Sequence, residues 1–213
     1  MKIYTGTSWS KENQERCAEL NIGMMSSPVD PVHPDKILPT ISVSCDNGAF
    51  RWFREKKSFQ EDLFYRWIST IEREPDFISV PDIVCGGMQS FNFSLKHIDN
   101  IPFKKYFVVQ DGMTFDLVYP ALVRCDGCFI GGSTVTGKCE GWKWMTAPTW
   151  IEKCHSIGLL VHMGRCPGNL RGLDTAAHIG IDSIDVSTLI RHQLLDRVPQ
   201  MRLHRKEQKR FVD

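Results

Sequence analysis

The chain has 213 residues, of which 42% are hydrophobic and 24% charged, with a formal net charge of +1. That content can bury a sizeable core within one domain, and the near-neutral balance excludes a global basic field, so any nucleic-acid contact has to come from a local cluster of Lys and Arg. No stretch approaches the roughly 18 apolar residues needed to span a bilayer, and the opening residues lack the apolar run of a signal peptide, so a cytosolic (cytoplasmic) protein is expected, with no membrane partner.

In chain order, the first apolar run is 2–4, followed by a helical segment at 11–20 and a second run at 22–26. A loop across 28–39 contains four prolines and is expected to be extended. The third run, 40–45, ends on Asp46 and Asn47. The clearest helix lies at 59–72, where Phe59, Leu63, Trp67 and Ile71 recur every four residues and Phe64 and Ile68 widen the same face. Further strands are predicted at 77–82, 106–110, 128–130, 159–162 and 181–185, with helices at 91–98, 115–122, 142–156 and 170–179. Within 142–156 the Ala147-Pro148 step is expected at a helix entry rather than its middle.

Eight short apolar runs separated by room for crossover helices predict an α/β fold, a compact (β/α)8 TIM-like barrel over residues 1–190, with an open doubly wound sheet as the alternative. Residues 191–213 form a basic C-terminal helix or tail. It carries Arg191, Arg197, Arg202, Arg205, Lys206, Lys209 and Arg210, a set suited to gripping phosphates or, equally, to a solvated terminal helix.

The eight cysteines read as reduced thiols in or beside strands. Cys125 and Cys128 form a CxxC near Cys139, Cys154 and His155, but no second tight pair accompanies them, so no metal site is expected.

Barrel enzymes place catalytic residues at the C-terminal ends of several strands. Polar groups gather at those ends here: Asp46 and Asn47, Asp82, Gln110, Gly131 and Gly132, His162 and Arg165, and Asp185. An unpaired carboxylate at the mouth of an apolar strand is costly unless solvated, hydrogen-bonded or functional. Each Asp alone could be a helix cap; together they predict a shared pocket. His162, ending an apolar strand, reads first as a satisfied structural group. Trp52, Trp142 and Trp144 read as core residues before they read as stacking platforms for bases.

These segments resemble a known family in order and approximate spacing from about residue 40 to 190. Ser44-Cys45-Asp46-Asn47-Gly48-Ala49-Phe50 looks like the T-D-S-G-G-F segment of the tRNA-guanine transglycosylases and their relatives, the 7-deazaguanine DNA transglycosylases. Phe107-Val108-Val109-Gln110-Asp111-Gly112 looks like their V-Q-G-G strand, and Phe129-Ile130-Gly131-Gly132-Ser133 is similar to V-G-G-L-A. His162-Met163-Gly164-Arg165 looks like L-M-G-V, and Gly180-Ile181-Asp182-Ser183-Ile184-Asp185-Val186 is close to G-I-D-x-F-D-C-V.

The resemblance implies a double displacement. Asp185 would attack C1' of a nucleotide and expel guanine, and a 7-deazaguanine such as preQ0 or a derivative would take its place, with Asp46 as acid and base and no cofactor. Asp82 and Gln110 would read the purine edge, amides near Gly131 and Gly132 would meet its O6, and Asn47, Phe50, His162 and Arg165 would line the site. The family's C-x-C-x-x-C zinc motif, expected downstream of the nucleophile, is absent after Asp185. The likeness is therefore greatest to the DNA-modifying branch, some of whose members are viral, and DNA is the expected partner. The alternatives are tRNA as the polymer, a non-catalytic nucleobase or nucleic-acid binding barrel, and a metal-dependent hydrolase using Asp46, Asp82, His162 and Asp185.

Overall fold

A computed structural model describes residues 1–132, 140–166, 169–186, 188–191, 193–196 and 198. Eight strands alternate with helices: β1 (Lys2–Gly6), α1 (Lys11–Glu19), β2 (Gly23–Ser26), β3 (Val43–Cys45), α2 (Ala49–Arg54), α3 (Glu61–Ile68), β4 (Ile78–Ser79) and α4 (Met88–Leu95). They continue with β5 (Lys105–Val109), α5 (Phe115–Leu122), β6 (Gly127–Ile130), α6 (Glu140–Ser156), β7 (Leu160–Met163), α7 (Leu170–His178), β8 (Ser183–Asp185) and α8 (Thr188–Arg191). Every neighbouring pair is parallel and β8 closes on β1, giving a barrel in strand order 1 to 8. The expected (β/α)8 fold is therefore present, and the open-sheet alternative is not.

Side chains alternate across the strands as the period of two requires. In β5, Tyr106 and Val108 join the barrel interior with Tyr4, Met25, Phe77 and Phe129, while Phe107 and Val109 pack outward among the helices. The interior is filled rather than hollow: Phe77 stacks on Tyr106 with ring centroids 4.1 Å apart, and Phe129 lies 4.6 Å from the His162 ring. Gly127 permits this filling, because a β-carbon there would come within 2.5 Å of Tyr106.

Several expectations need correction. The fourth strand, expected at 77–82, is only Ile78–Ser79, because Pro81 lacks the N–H a ladder needs. Pro148 lies inside α6, not at its entry. Ala147, Trp150, Ile151 and Cys154 bury that helix in the core, and this packing outweighs the lost backbone bond. The helix expected at 59–72 is Glu61–Ile68, and the loop 28–39 contains a 3₁₀ turn at Pro34–Lys36. That loop is pinned from outside: the Arg73 guanidinium donates to the carbonyls of Ile37, Leu38, Pro39 and Ile41.

Seven cysteines are free thiols, Cys85 exposed and the others buried, and Cys139 lies outside the described residues. Among the described residues no helix is long and apolar enough to cross a membrane. The expected tail of 191–213 lies largely outside them: Arg197, Arg202, Arg205, Lys206, Lys209 and Arg210 are not described, and Arg191 only as the last residue of α8.

Gly127→Ala should destabilise the fold by about 1–3 kcal/mol, since the methyl would overpack the interior against an immobile stacked ring. For a chain this size each kcal/mol lowers the melting temperature by roughly 2–4 °C, which thermal unfolding followed by circular dichroism reads directly. An unchanged melting temperature would show that Tyr106 gives way freely.

Candidate active site

The C-terminal mouth of the barrel holds two adjoining cavities. An outer cleft of 480 Å³ is lined by Thr7, Asp30, Arg51 and Arg54, and an inner cavity of 80 Å³ by Asp82, Val108, Phe129, Gly131 and Gly132. Met25, Asp46, Phe50, Arg165 and Asp185 line both. Three acidic side chains from β8 and from the loops after β3 and β4 thus meet at one place, as expected. Asn47 lines the inner cavity as well.

Asp185 is the last residue of β8. Its Oδ1 accepts the backbone N–H of Arg165 at 2.9 Å and is bonded to His162 Nε2 at 3.1 Å. Burial pushes the His162 pKa down, against the pull of its bond to Asp185, so the ring is neutral at neutral pH. An ionised carboxylate only accepts, so His162 carries its proton on Nε2, and Nδ1 accepts from the Ser183 hydroxyl at 2.9 Å. His162 is fully buried among aromatic rings below the site and does not line either cavity. It is a positioning residue: it fixes one oxygen of Asp185 while Oδ2 has no hydrogen bond among the described residues.

Asp82 is held on both oxygens. Asn47 Nδ2 donates to Oδ1 at 2.9 Å and Gln110 Nε2 donates to Oδ2. Gln110 also reaches the Ile83 carbonyl at 3.0 Å and Ser90 Oγ at 3.1 Å, so it stands behind Asp82 rather than in the cavity wall. Its Oε1 is buried with no partner among the described residues. Burial raises the Asp82 pKa to about 6, with the Asn47 and Gln110 bonds acting in the opposite direction.

Asp46 Oδ1 accepts from the Asn47 N–H at 2.9 Å and from Ser79 Oγ at 3.1 Å. Burial first, and then the charges of Asp185 and Asp82, push its pKa up to about 7. Compared with Asp82 it exchanges a proton nearer neutrality, which suits an acid in one step and a base in the next. The loop that carries it is set by Gly48, whose φ of +81° starts α2 and turns Phe50 toward both cavities.

The glycine turn after β6 differs from expectation. The Gly131 and Gly132 N–H groups both point at the Val109 carbonyl, at 3.0 and 3.4 Å, so neither is offered to a purine O6. What these residues supply is clearance: a β-carbon on Gly131 would sit 2.9 Å from Val108 Cγ1, and one on Gly132 2.9 Å from Lys143 Cε.

Sequence reasoning missed several supports. Lys143 is only 4% exposed, and its Nζ donates to the Gly164 carbonyl at 2.7 Å beneath the site; nothing in a mixed helical sequence marks this lysine as buried. Ser79 and Ser183 had a readable signal, since each lies on the inward side of its strand, Ser183 two residues before Asp185. Trp52 is core, as read, and Trp142 and Trp144 are half-buried against it. Among the described residues no group of three or more His, Cys, Asp or Glu side chains is arranged to hold a metal ion. The chain matches no model of a known protein family and no curated protein.

The raised Asp46 pKa makes a stability prediction. Its folded value of about 7 lies above the ordinary carboxylate value of 3.8, so between those pH values the folded state holds more protons than the unfolded one. Stability therefore falls as pH rises through that window and is level above it. The full shift corresponds to roughly 4 kcal/mol, reduced by the water reaching this half-buried side chain, so about 1–3 kcal/mol is expected. Asp46→Asn should raise the melting temperature at pH 8 and leave it nearly unchanged at pH 4. Equal effects at the two pH values would show that Asp46 is not a strained acid.

Proposed function

We propose that this protein is a DNA-guanine transglycosylase, a pentosyltransferase that exchanges guanine in DNA for a 7-deazaguanine by double displacement. The observation that carries the reading is the unequal treatment of two carboxylates at one cavity. Asp185 has one oxygen fixed and the other uncommitted, and Asp46 is poised to hold a proton near neutrality. Paired carboxylates driven to different protonation states are what a glycosyl transfer needs.

In the first step Asp185 Oδ2 forms a bond to C1' of the target nucleotide as the C1'–N9 bond breaks. The electron pair leaves with guanine, and Asp46 donates the proton that neutralises it. In the second step Asp46 takes the N9 proton of the incoming 7-deazaguanine, whose nitrogen attacks C1' and displaces Asp185. Atoms and charges balance without a redox partner, and the only co-substrate is the free base. Asp82 faces the cavity as an acceptor for purine N–H groups. Asn47 holds Asp82 in place. In duplex DNA the nucleotide has to leave the stack to reach this depth.

DNA is taken as the polymer from the likeness in sequence, with RNA as the competing substrate, and one assay separates them. The protein is incubated with radiolabelled guanine and, in parallel, DNA or tRNA, and incorporation is counted. Labelling of DNA is expected. Asp185→Asn should lower it at least about a thousandfold and abolish a trapped covalent adduct in intact-protein mass spectrometry. Asp46→Asn should lower it by about 10²–10⁴. Labelling of tRNA alone would change the substrate; full activity in Asp185→Asn would overturn the mechanism; and base binding without exchange on either polymer would leave a binding barrel.

A further inference from the structure

The short helix α2 has a buried face, formed by Ala49 and Trp52, and a face turned to the outer cleft, formed by Phe50, Arg51 and Arg54, with Phe50 and Arg54 one turn apart. Arg51 is engaged there: its guanidinium donates to the Val29 carbonyl at 3.0 Å and to Glu55 at 3.2 Å. Arg54 is exposed, and its side chain has no ion pair or hydrogen bond among the described residues, although Asp30, Asp46 and Asp185 line the same cleft. Asp46 and Asp185 also face the inner cavity, and Asp30 is bonded to Ser27 Oγ at 2.7 Å beside the Arg51 charge. Arg54 lines the outer cleft alone, so an anionic group that enters is repelled from the inner end and drawn to Arg54.

A second feature stands on the other side of that cleft, where the end of β1 and the loop after it supply Thr5, Gly6 and Thr7. Trp9, two residues further on, is 64% exposed, and its indole has no ring contact or hydrogen bond among the described residues. Tryptophan gains more than most side chains from burial, so an indole left in water at this rim has an unfilled face. An uncommitted cation and an open aromatic face at one cleft are what single-stranded nucleic acid uses, the first for a phosphate and the second for a base.

We propose that the outer cleft is a track for an unpaired strand, in which Arg54 takes a phosphate beside the target nucleotide and Trp9 stacks on a neighbouring base. This rests on the reading of Asp185 and Asp46 as the reacting pair and adds to it the state of the polymer. A volume of 480 Å³ lies in the range of sites that take one small molecule, room for a nucleotide and too little for a duplex. A base stacked on Trp9 has also left its place in a duplex stack. The strand therefore enters already single, rather than as a duplex from which one nucleotide is flipped.

The test titrates the full chain with a short, fluorescein-labelled, single-stranded DNA oligonucleotide containing guanine, read by fluorescence anisotropy over a series of salt concentrations. Arg54→Gln should weaken binding at least about tenfold and make the log–log salt dependence shallower by roughly 0.7, one phosphate contact on a single strand. Trp9→Ala should weaken binding by about fivefold to a hundredfold with the salt dependence unchanged, and Trp9→Phe should recover most of the loss. Arg66→Gln removes an exposed arginine of α3 that lines neither cavity and should alter neither quantity. The duplex of the same sequence should bind the unaltered protein several-fold more weakly. Equal changes in Arg54→Gln and Arg66→Gln, a duplex bound as tightly as the single strand, or dGMP competing as well as the oligonucleotide would each overturn the track and leave the reacting pair standing. An oligonucleotide held through Arg54 and Trp9 that never exchanges labelled guanine would keep the track and strike the transglycosylase reading. An oligonucleotide that the unaltered protein does not bind overturns both.

Discussion

Asp185 ends β8 with one oxygen fastened to the Arg165 amide and to His162, and the orientation of the whole mouth follows from that attachment. A carboxylate at the rim of an aromatic interior loses solvation, and donors that replace the water offset that cost. Both donors come from β7 and the turn after it, so the β7–β8 pairing also places this side chain. Ser183 extends the chain of bonds one step further, to Nδ1 of His162. With His162 neutral, that ring holds Asp185 by a hydrogen bond and not by a counter-charge.

Asp46 lines both cavities with Asp185. Asp82 has a donor on each oxygen, but Asp46 has only an adjacent amide and a serine hydroxyl, both on the same oxygen. Three carboxylates around one small cavity cannot all be ionised cheaply, and burial first, then the charges of Asp185 and Asp82, favour the proton on Asp46. The role of Asp46 is thus decided by its surroundings, not by residue type. The same arrangement stores instability in the folded protein, which is what a site built for proton transfer is expected to do.

Much of this was legible in the sequence. Apolar runs of strand length at intervals that admit a helix identified the barrel, and an Asp following such a run identified the rim, because a strand period of two and a parallel sheet leave few other places for it. The parts that were not legible depend on distances across the barrel. Gln110 looked like a cavity residue because it follows β5 directly, yet its amide turns aside to Asp82. Gly131 and Gly132 looked like amide donors, and only the register with β5 shows their hydrogens committed to Val109. Pro148 looked like a helix start because propensity is local, whereas α6 is carried through it by burial. The short α2 offers too few residues for any period to show.

The barrel interior changes character within a single strand repeat. Tyr4, Phe77 and Phe129 surround the His162 ring, which is bonded to Ser183 and, toward the mouth, to Asp185. The aromatic filling closes the barrel below and confines the site to one open side. It also sets how close the polar layer can lie to the packed interior: Phe129 approaches Gly164 so tightly that a β-carbon there would come within 2.5 Å of its ring, and would stand 3.5 Å from Asp185 Oδ1. The absence of that one atom lets the aromatic interior reach up to the carboxylate. Packing and chemistry are therefore joined at Gly164, where a change made for the first would be felt in the second.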